Sequence, residues 1–239
     1  IISLPDNEKL AQLTQQDAQQ YEQFTNYVNK LLAEKNMKSG DKLAINQAEF
    51  QTLENLSASI PSETEAGGAT AGISSTVKNL LGKHVNIDFI GLAGKDGASD
   101  RVMLQDLHDH GINLSPPPTY GAVAATSIII KNPSGKNTIL TYAGTADEKI
   151  SPALITDEKV AQANSVIIPI SLWSKFKDEY ANTLLDKSIK QDKQIILTIP
   201  KQAHFGYRGD NNIHKKLIKH ANLIVADESE LARWYNNGN

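Results

Sequence analysis

The sequence predicts an α/β protein, a mostly parallel sheet covered by helices with a small β appendage. Three observations carry this. From residue 151 onward helical and strand patterns alternate strictly, the signature of a parallel sheet whose crossovers are helices. A glycine-rich stretch, Gly67-Gly68-Ala69-Thr70-Ala71-Gly72, runs straight into an amphipathic helix. Two β-rich runs, residues 123–131 and 137–143, flank Asn132-Pro133-Ser134-Gly135, a hairpin signal outside that alternation.

Taken in order, residues 7–35 read as one long helix, with Leu10, Leu13, Tyr21, Phe24, Val28, Leu31 and Leu32 at three-to-four spacing between glutamines. Its apolar stripe must dock on a hydrophobic surface, the body of the domain being favoured over a partner helix. Lys38-Ser39-Gly40-Asp41 turns the chain into a short strand at 42–46, and 48–56 looks helical. A polar loop with Pro61 leads to the glycine stretch, beyond which Ile73, Val77, Leu80 and Leu81 share a helical face and Gly82 marks the stop. An apolar strand at 85–92 and a helix at about 99–110, with Gly111 at its C-terminal cap, come next. Pro116-Pro117-Pro118 marks a boundary before the hairpin. Then follow a helix after Ser151, a strand at 165–170, a helix at 175–190, a strand at 194–199, a helix at 211–220, a strand at 223–226 and a helix at 228–235.

Composition limits the function classes. The 239 residues are 40% hydrophobic, enough for a substantial core. With 24 Lys plus Arg against 27 Asp plus Glu the net charge is −3, so no electrostatic argument points to nucleic acid or an anionic membrane. The richest basic patch, Lys215, Lys216, Lys219 and His220, has the spacing of a solvated helix face. With no cysteine, disulfides, thiol nucleophiles and Cys-based zinc sites are excluded. The longest apolar run, 166–173, is too short to span a bilayer. The chain begins with Ile1, which fits a processed protein or part of a longer one. A cytoplasmic location is the expectation.

Chemistry-bearing residues are few. A helix that opens in a glycine pair offers unpaired backbone N–H groups with no side chain to keep a ligand away. Gly67 and Gly68 are therefore the first candidates for ligand binding, against the plainer reading of a flexible entry to a helix. No Gly-Lys-Ser/Thr follows, so this is not a P-loop. Asp227 and Glu230 fall at the end of a predicted parallel strand, where open α/β sheets bind ligands, and a carboxylate pair there can hold magnesium through water. Asp-x-x-Glu before a helix is equally a capping box, and the two roles are compatible. Asp96 fits a turn-fixing role. His84, His108, His110, His204, His214 and His220 show no metal-ligand spacing. Trp173, after a strand, reads as a core or rim aromatic rather than a stacking platform.

The order of these features resembles the PfkB, or ribokinase-like, family of sugar and nucleoside kinases, adenosine kinases most of all. The resemblance rests on Gly67-Gly68-Ala69-Thr70, on Gly91-Leu92-Ala93-Gly94-Lys95-Asp96 after a strand, and on His110-Gly111-Ile112 closing the next helix. A lid hairpin from Ser127 to Gly144, with Pro133 and Gly135 in its turn, and the 32–41 segment before the first lid strand complete it. It covers roughly residues 28–236.

It implies a three-layer ribokinase-like fold, with residues 1–40 as a helical segment on the core, 41–47 and 119–145 as a β lid, and 48–118 and 146–239 as the α/β core. It further implies ATP-dependent phosphorylation of a hydroxyl on a small sugar or nucleoside, with Mg2+, and a homodimer through the lid. By that resemblance Gly67, Gly68 and Gly72 bind the acceptor, and Asp227 and Glu230 serve the metal.

Three departures qualify it. Gly72 stands where the family carries a sugar-binding asparagine, and Asp227 stands where it has the asparagine of Asn-x-x-Glu. The Gly-Ala-Gly-Asp stretch that supplies the family's anion hole and catalytic aspartate is absent, so no catalytic residue is assigned. Gly206, Gly209 and Gly238 lie in no such context. The N-terminal strand with its sugar-binding aspartate is not evident either, Asp6 being the nearest carboxylate. The chain stops about one helix after 223–226, so the C-terminal part of the family fold is expected to be missing. The rival expectation is a non-catalytic binding or regulatory protein that keeps the fold. A general α/β nucleotide-binding domain explains the alternation but not the hairpin.

Overall fold

The structure, a computed structural model, describes residues 1–67, 69–95, 97–118, 120–146, 150–169, 177–199, 211–226 and 228. The chain divides into two compact units, one built on Ile1–Glu65 and Ala125–Gly144, the other on Ala66–Ala124 and the described residues from Thr145 onward.

In the first unit, β1 (Ile2–Ser3), β2 (Lys42–Ile45), β5 (Thr126–Lys131) and β6 (Asn137–Tyr142) form a four-stranded sheet in the order β1-β5-β6-β2. The hairpin β5–β6 is antiparallel, while β1 pairs with β5 and β2 with β6 in parallel. Period-two alternation decides the faces. Leu43 and Ile45 stand beside Leu140 and Tyr142 in register, and all four are buried. The opposite face carries Ser127, Ile129 and Lys131 of β5 with Ile139 and Thr141 of β6, none of them buried.

The helix expected over 7–35 is two helices, α1 (Asn7–Leu10) and α2 (Gln15–Glu34). The break has a local cause. Thr14 is an N-cap whose hydroxyl accepts the Asp17 N–H at 3.2 Å and donates to the Asp17 carboxylate at 2.7 Å. Phe24, Val28, Leu31 and Leu32 are the buried stripe of α2, which packs against α3 (Gln47–Ser57). Asn46 and Glu49 close a reciprocal capping box at the start of α3.

In the second unit α4 (Ala69–Leu81), β3 (Asp88–Ile90), α5 (Ala98–Asp109) and β4 (Asn113–Ser115) follow one another, and β3 and β4 pair in parallel. The strand expected over 85–92 is only three residues long, and β4 carries too short a pattern to read from sequence. Next come α6 (Asp157–Gln162), β7 (Ser165–Pro169), α7 (Lys177–Lys190), β8 (Gln194–Ile199), α8 (Asn211–His220) and β9 (Leu223–Ala226). The alternation gives the expected wholly parallel sheet, β7-β8-β9.

Val166 and Ile168 of β7 and Ile195 and Leu197 of β8 share one face of that sheet. They pack in one buried cluster with Leu184 and Leu185 of α7 and Ile213 and Leu217 of α8. Burying an aliphatic side chain of this size is worth about 1.5–3 kcal/mol, so this cluster is a large stabilising contribution to the unit. Tyr180 of α7 reaches past it to donate to the Ile90 carbonyl at 3.3 Å, tying the end of β3 to the cluster.

Candidate substrate site

The glycine stretch opens α4 as expected. Gly67 is exposed, and Gly72 is exposed within the first turns of the helix. A Cβ built on either meets nothing within 4 Å, so packing demands glycine at neither position. What these glycines leave is open space beside a helix N-terminus, where backbone N–H groups lack intrahelical acceptors. Gly68 lies outside the described residues, as do Asp96, Trp173, Asp227 and Glu230. Among the described residues no group of three or more His, Asp or Glu side chains is placed to hold a metal ion.

Helix α4 is fixed against α5 by polar contacts on one side. Ser75 donates to the Asp106 carboxylate at 3.1 Å, and Asn79 lies 3.3 Å from His110 Nε2. The other ring nitrogen of His110 is 2.7 Å from the Asp106 carbonyl, so this histidine belongs to the helix interface. His108 lies exposed beside Asp109. Asp6 accepts the Lys9 N–H at 2.9 Å, a helix-capping contact.

The loop after β3 is organised by a residue the sequence reading did not single out. Asp100, the third residue of α5, is 0% exposed. One oxygen of its carboxylate accepts the N–H groups of Gly94 (2.9 Å) and Ala124 (2.8 Å), and the other accepts that of Gly97 (3.2 Å). Gly94 is a glycine by necessity, because a Cβ there collides with the Ala122 carbonyl oxygen and the Asp100 carboxylate. Lys95 lies over the exposed ring of Tyr120, 4.4 Å from its centroid. A signal for Asp100 existed in the sequence: an acidic residue three positions into a helix that follows Gly94 and Gly97.

A second unforeseen feature lies at the C-terminal ends of the parallel strands. Thr198 of β8 stands in register between Pro169 of β7 and Val225 of β9. It is 4% exposed, yet its hydroxyl has no hydrogen-bond partner among the described residues. An unpaired buried polar group costs about 1–3 kcal/mol, which suits a group that meets a polar ligand.

The sequence model of the pfkB family carbohydrate kinase matches residues 33–238. This chain belongs to the PfkB family of carbohydrate kinases. No curated protein sequence matches the PfkB chain. Among solved structures it is similar to adenosine kinase from Anopheles gambiae in complex with P1,P4-di(adenosine-5) tetraphosphate (TM-score 0.69, 14% identity, covering 88% of this chain and 63% of that one). It is also similar to adenosine kinase from Schistosoma mansoni in complex with adenosine in an occluded loop conformation (TM-score 0.66, 14% identity, 85% and 59%). Fructokinase from Xylella fastidiosa is a further match (TM-score 0.60, 15% identity, 72% and 55%).

At these identities the likeness shows the fold, an α/β ribokinase-like fold with a mostly parallel sheet. The PfkB chain spans less than two thirds of the length of these structures. Among its described residues no helix is long and apolar enough to cross a membrane.

Proposed function

We propose that this chain is the acceptor-binding part of an ATP-dependent phosphotransferase that acts on a hydroxyl of a small sugar or nucleoside. The observation that carries the reading is the two-faced sheet β1-β5-β6-β2. Its buried face builds a core, and its other face keeps Ser127, Thr141, Lys131 and the half-buried Ile129 and Ile139 clear of it. Apolar and hydroxyl groups on one open face suit a surface that covers a sugar ring and keeps water from it.

Residues 41–47 and 119–145 are the lid in this reading. Gly67, Gly68 and Gly72 offer backbone contacts to the acceptor, and Asp227 with Glu230 holds Mg2+ on the phosphate side. A metal held by that pair would neutralise phosphate charge during transfer. Thr198 supplies a hydroxyl to a polar group at the strand ends. The protein works in the cytoplasm, and two copies pair through their lids.

A non-catalytic binding protein is favoured by one particular feature, glycine at position 72 where the family's asparagine bonds the sugar. No Gly-Ala-Gly-Asp stretch occurs in the 239 residues, so the groups that activate the hydroxyl and stabilise the transferring charge are not supplied by them. A positioned base alone contributes typically about 10²–10⁴-fold.

A coupled ADP-release assay tests the kinase reading, with adenosine, ribose and fructose as acceptors. It is run on the 239-residue chain and on the natural full reading frame. Acceptor-dependent release by the full frame and none by the 239 residues is the expected result. Binding without release by either moves the assignment to the non-catalytic protein, and release by the 239 residues that Asp227→Ala abolishes overturns the role given to the missing stretch.

A further inference from the structure

We infer that Asp100 is a positioning residue, its buried carboxylate fixing the loop after β3 and both roots of the β5–β6 hairpin in a single arrangement. For its functional consequence the inference rests on the acceptor reading above; the anchoring itself stands on geometry.

An acidic residue in the first turn of a helix ordinarily bonds its own helix terminus. Asp100 does this through the N–H of the N-cap residue Gly97, but it also accepts two N–H groups beyond α5, those of Gly94 in the loop and of Ala124, two residues before β5 begins. The same backbone is tied to the other root of the hairpin. Val123 donates to the Thr145 hydroxyl at 3.0 Å, and Ala146 donates to the Val123 carbonyl at 3.0 Å. The chain thus leaves for the hairpin and returns from it through one hydrogen-bonded knot, with Asp100 at its base.

Gly144, at a φ of 75°, bends the returning strand into that knot with a backbone that side-chain-bearing residues rarely adopt. Only a carboxylate meets the demand. It offers several lone pairs and no donor, whereas an amide of the same shape turns an NH2 toward a backbone N–H. Charge-assisted bonds of this kind are roughly twice as strong as neutral ones. A shift of residues 94–97 therefore passes directly to the segments at 123–124 and 145–146 from which the hairpin leaves and to which it returns.

The test is Asp100→Asn in the 239-residue chain, read by amide hydrogen exchange, amide proton chemical shifts and adenosine titration. The expected result is a native circular dichroism spectrum and unchanged exchange in β7 and β8. Exchange at Gly94, Gly97, Ala124 and through β5 and β6 accelerates about tenfold or more. The three amide protons move upfield together, as they must when a charged acceptor is lost, and adenosine binds about tenfold more weakly. Faster exchange at Ala124 with β5–β6 exchange and adenosine affinity at wild-type values would overturn the inference and leave Asp100 a local cap.

If the variant does not fold, the wild-type rates decide. Equal slow exchange at the three amides supports the knot, and loop-like exchange at Ala124 overturns it. A wild-type chain that binds no adenosine sinks the acceptor reading, and the exchange measurements then judge Asp100 alone.

Discussion

Phe50 of α3 stacks on Tyr142 of β6, with ring centroids 5.0 Å apart and planes 24° from parallel. Both side chains are buried, so this pair seals the helix against the hairpin of the first unit. Phe50→Ala is expected to cost about 3–5 kcal/mol through lost burial and the cavity left behind. A urea titration followed at the hairpin amides checks this. Phe50→Leu, which keeps most of the volume, should lose much less, and equal losses would show that the stacked ring, not the buried volume, carries the stability.

Burial pushes the Tyr180 hydroxyl up from 10.0 to about 12. The folded state therefore holds the proton more tightly than the unfolded state. Stability from this group is complete below pH 10 and is lost as pH rises toward 12. Tyr180→Phe should flatten the alkaline limb of the stability profile between those values, at the cost of one hydrogen bond to Ile90. An unchanged alkaline limb would contradict the burial of the hydroxyl.

Asp157 behaves in the opposite sense. The Lys187 ammonium, 3.0 Å away, holds its carboxyl below the usual range by hydrogen bonding and charge. Stability from this pair is present above the ordinary carboxylate range and fades as pH falls through the lowered value. Asp157 is exposed, so Lys187→Met should move the acid midpoint only slightly, and a large shift would mean that the pair is more sheltered than its exposure indicates.

Gly94 and Gly72 should respond oppositely to a side chain. Gly94→Ala forces a methyl into the Ala122 carbonyl and is expected to destabilise by about 3 kcal/mol or prevent folding. Gly72→Ala fills open space in a helix and should stabilise by about 0.5–1 kcal/mol. Thermal melts of the two variants decide, and a stable Gly94→Ala would refute the close packing at the Asp100 knot.

Thr198→Val removes a buried hydroxyl without changing the shape of the side chain. The ligand-free protein should gain about 1 kcal/mol, because the unpaired group is gone. Affinity for ADP should fall at the same time, because the ligand loses the Thr198 hydroxyl. A loss of stability would show that the hydroxyl is already paired, by bound water.

The alternation of periods made the β7-β8-β9 sheet legible, because each strand is long enough to show an apolar run and each helix an apolar stripe. The hairpin was equally legible from Pro133 and Gly135 in its turn. Ile2–Ser3 and Asn113–Ser115 were not, because two or three residues cannot establish a period and only their parallel partners make them strands. The split at Thr14 was written in Thr14-x-x-Asp17 and was outweighed by the apolar spacing running through it.

Of Gly67 and Gly72 the sequence makes legible their place at the opening of a helix. Asp100 is hard to see in the sequence because its partner beyond Gly94 and Gly97 is the backbone N–H of Ala124, more than twenty residues away, and backbone contacts leave no pattern in side-chain identity. Thr198 was invisible for a related reason: an unmet hydrogen bond is a property of packing.

In the acceptor reading, the glycine stretch at residues 67–72 binds a small sugar or nucleoside. The most direct test is adenosine titration of the 239-residue chain, mapped by amide hydrogen exchange and repeated with Gly72→Asn. Weak binding that slows exchange at residues 67–72 is expected. Gly72→Asn should tighten adenosine about five- to tenfold by adding one side-chain hydrogen bond. Protection confined to other segments, or an affinity that Gly72→Asn leaves unchanged or weakens, would contradict that reading.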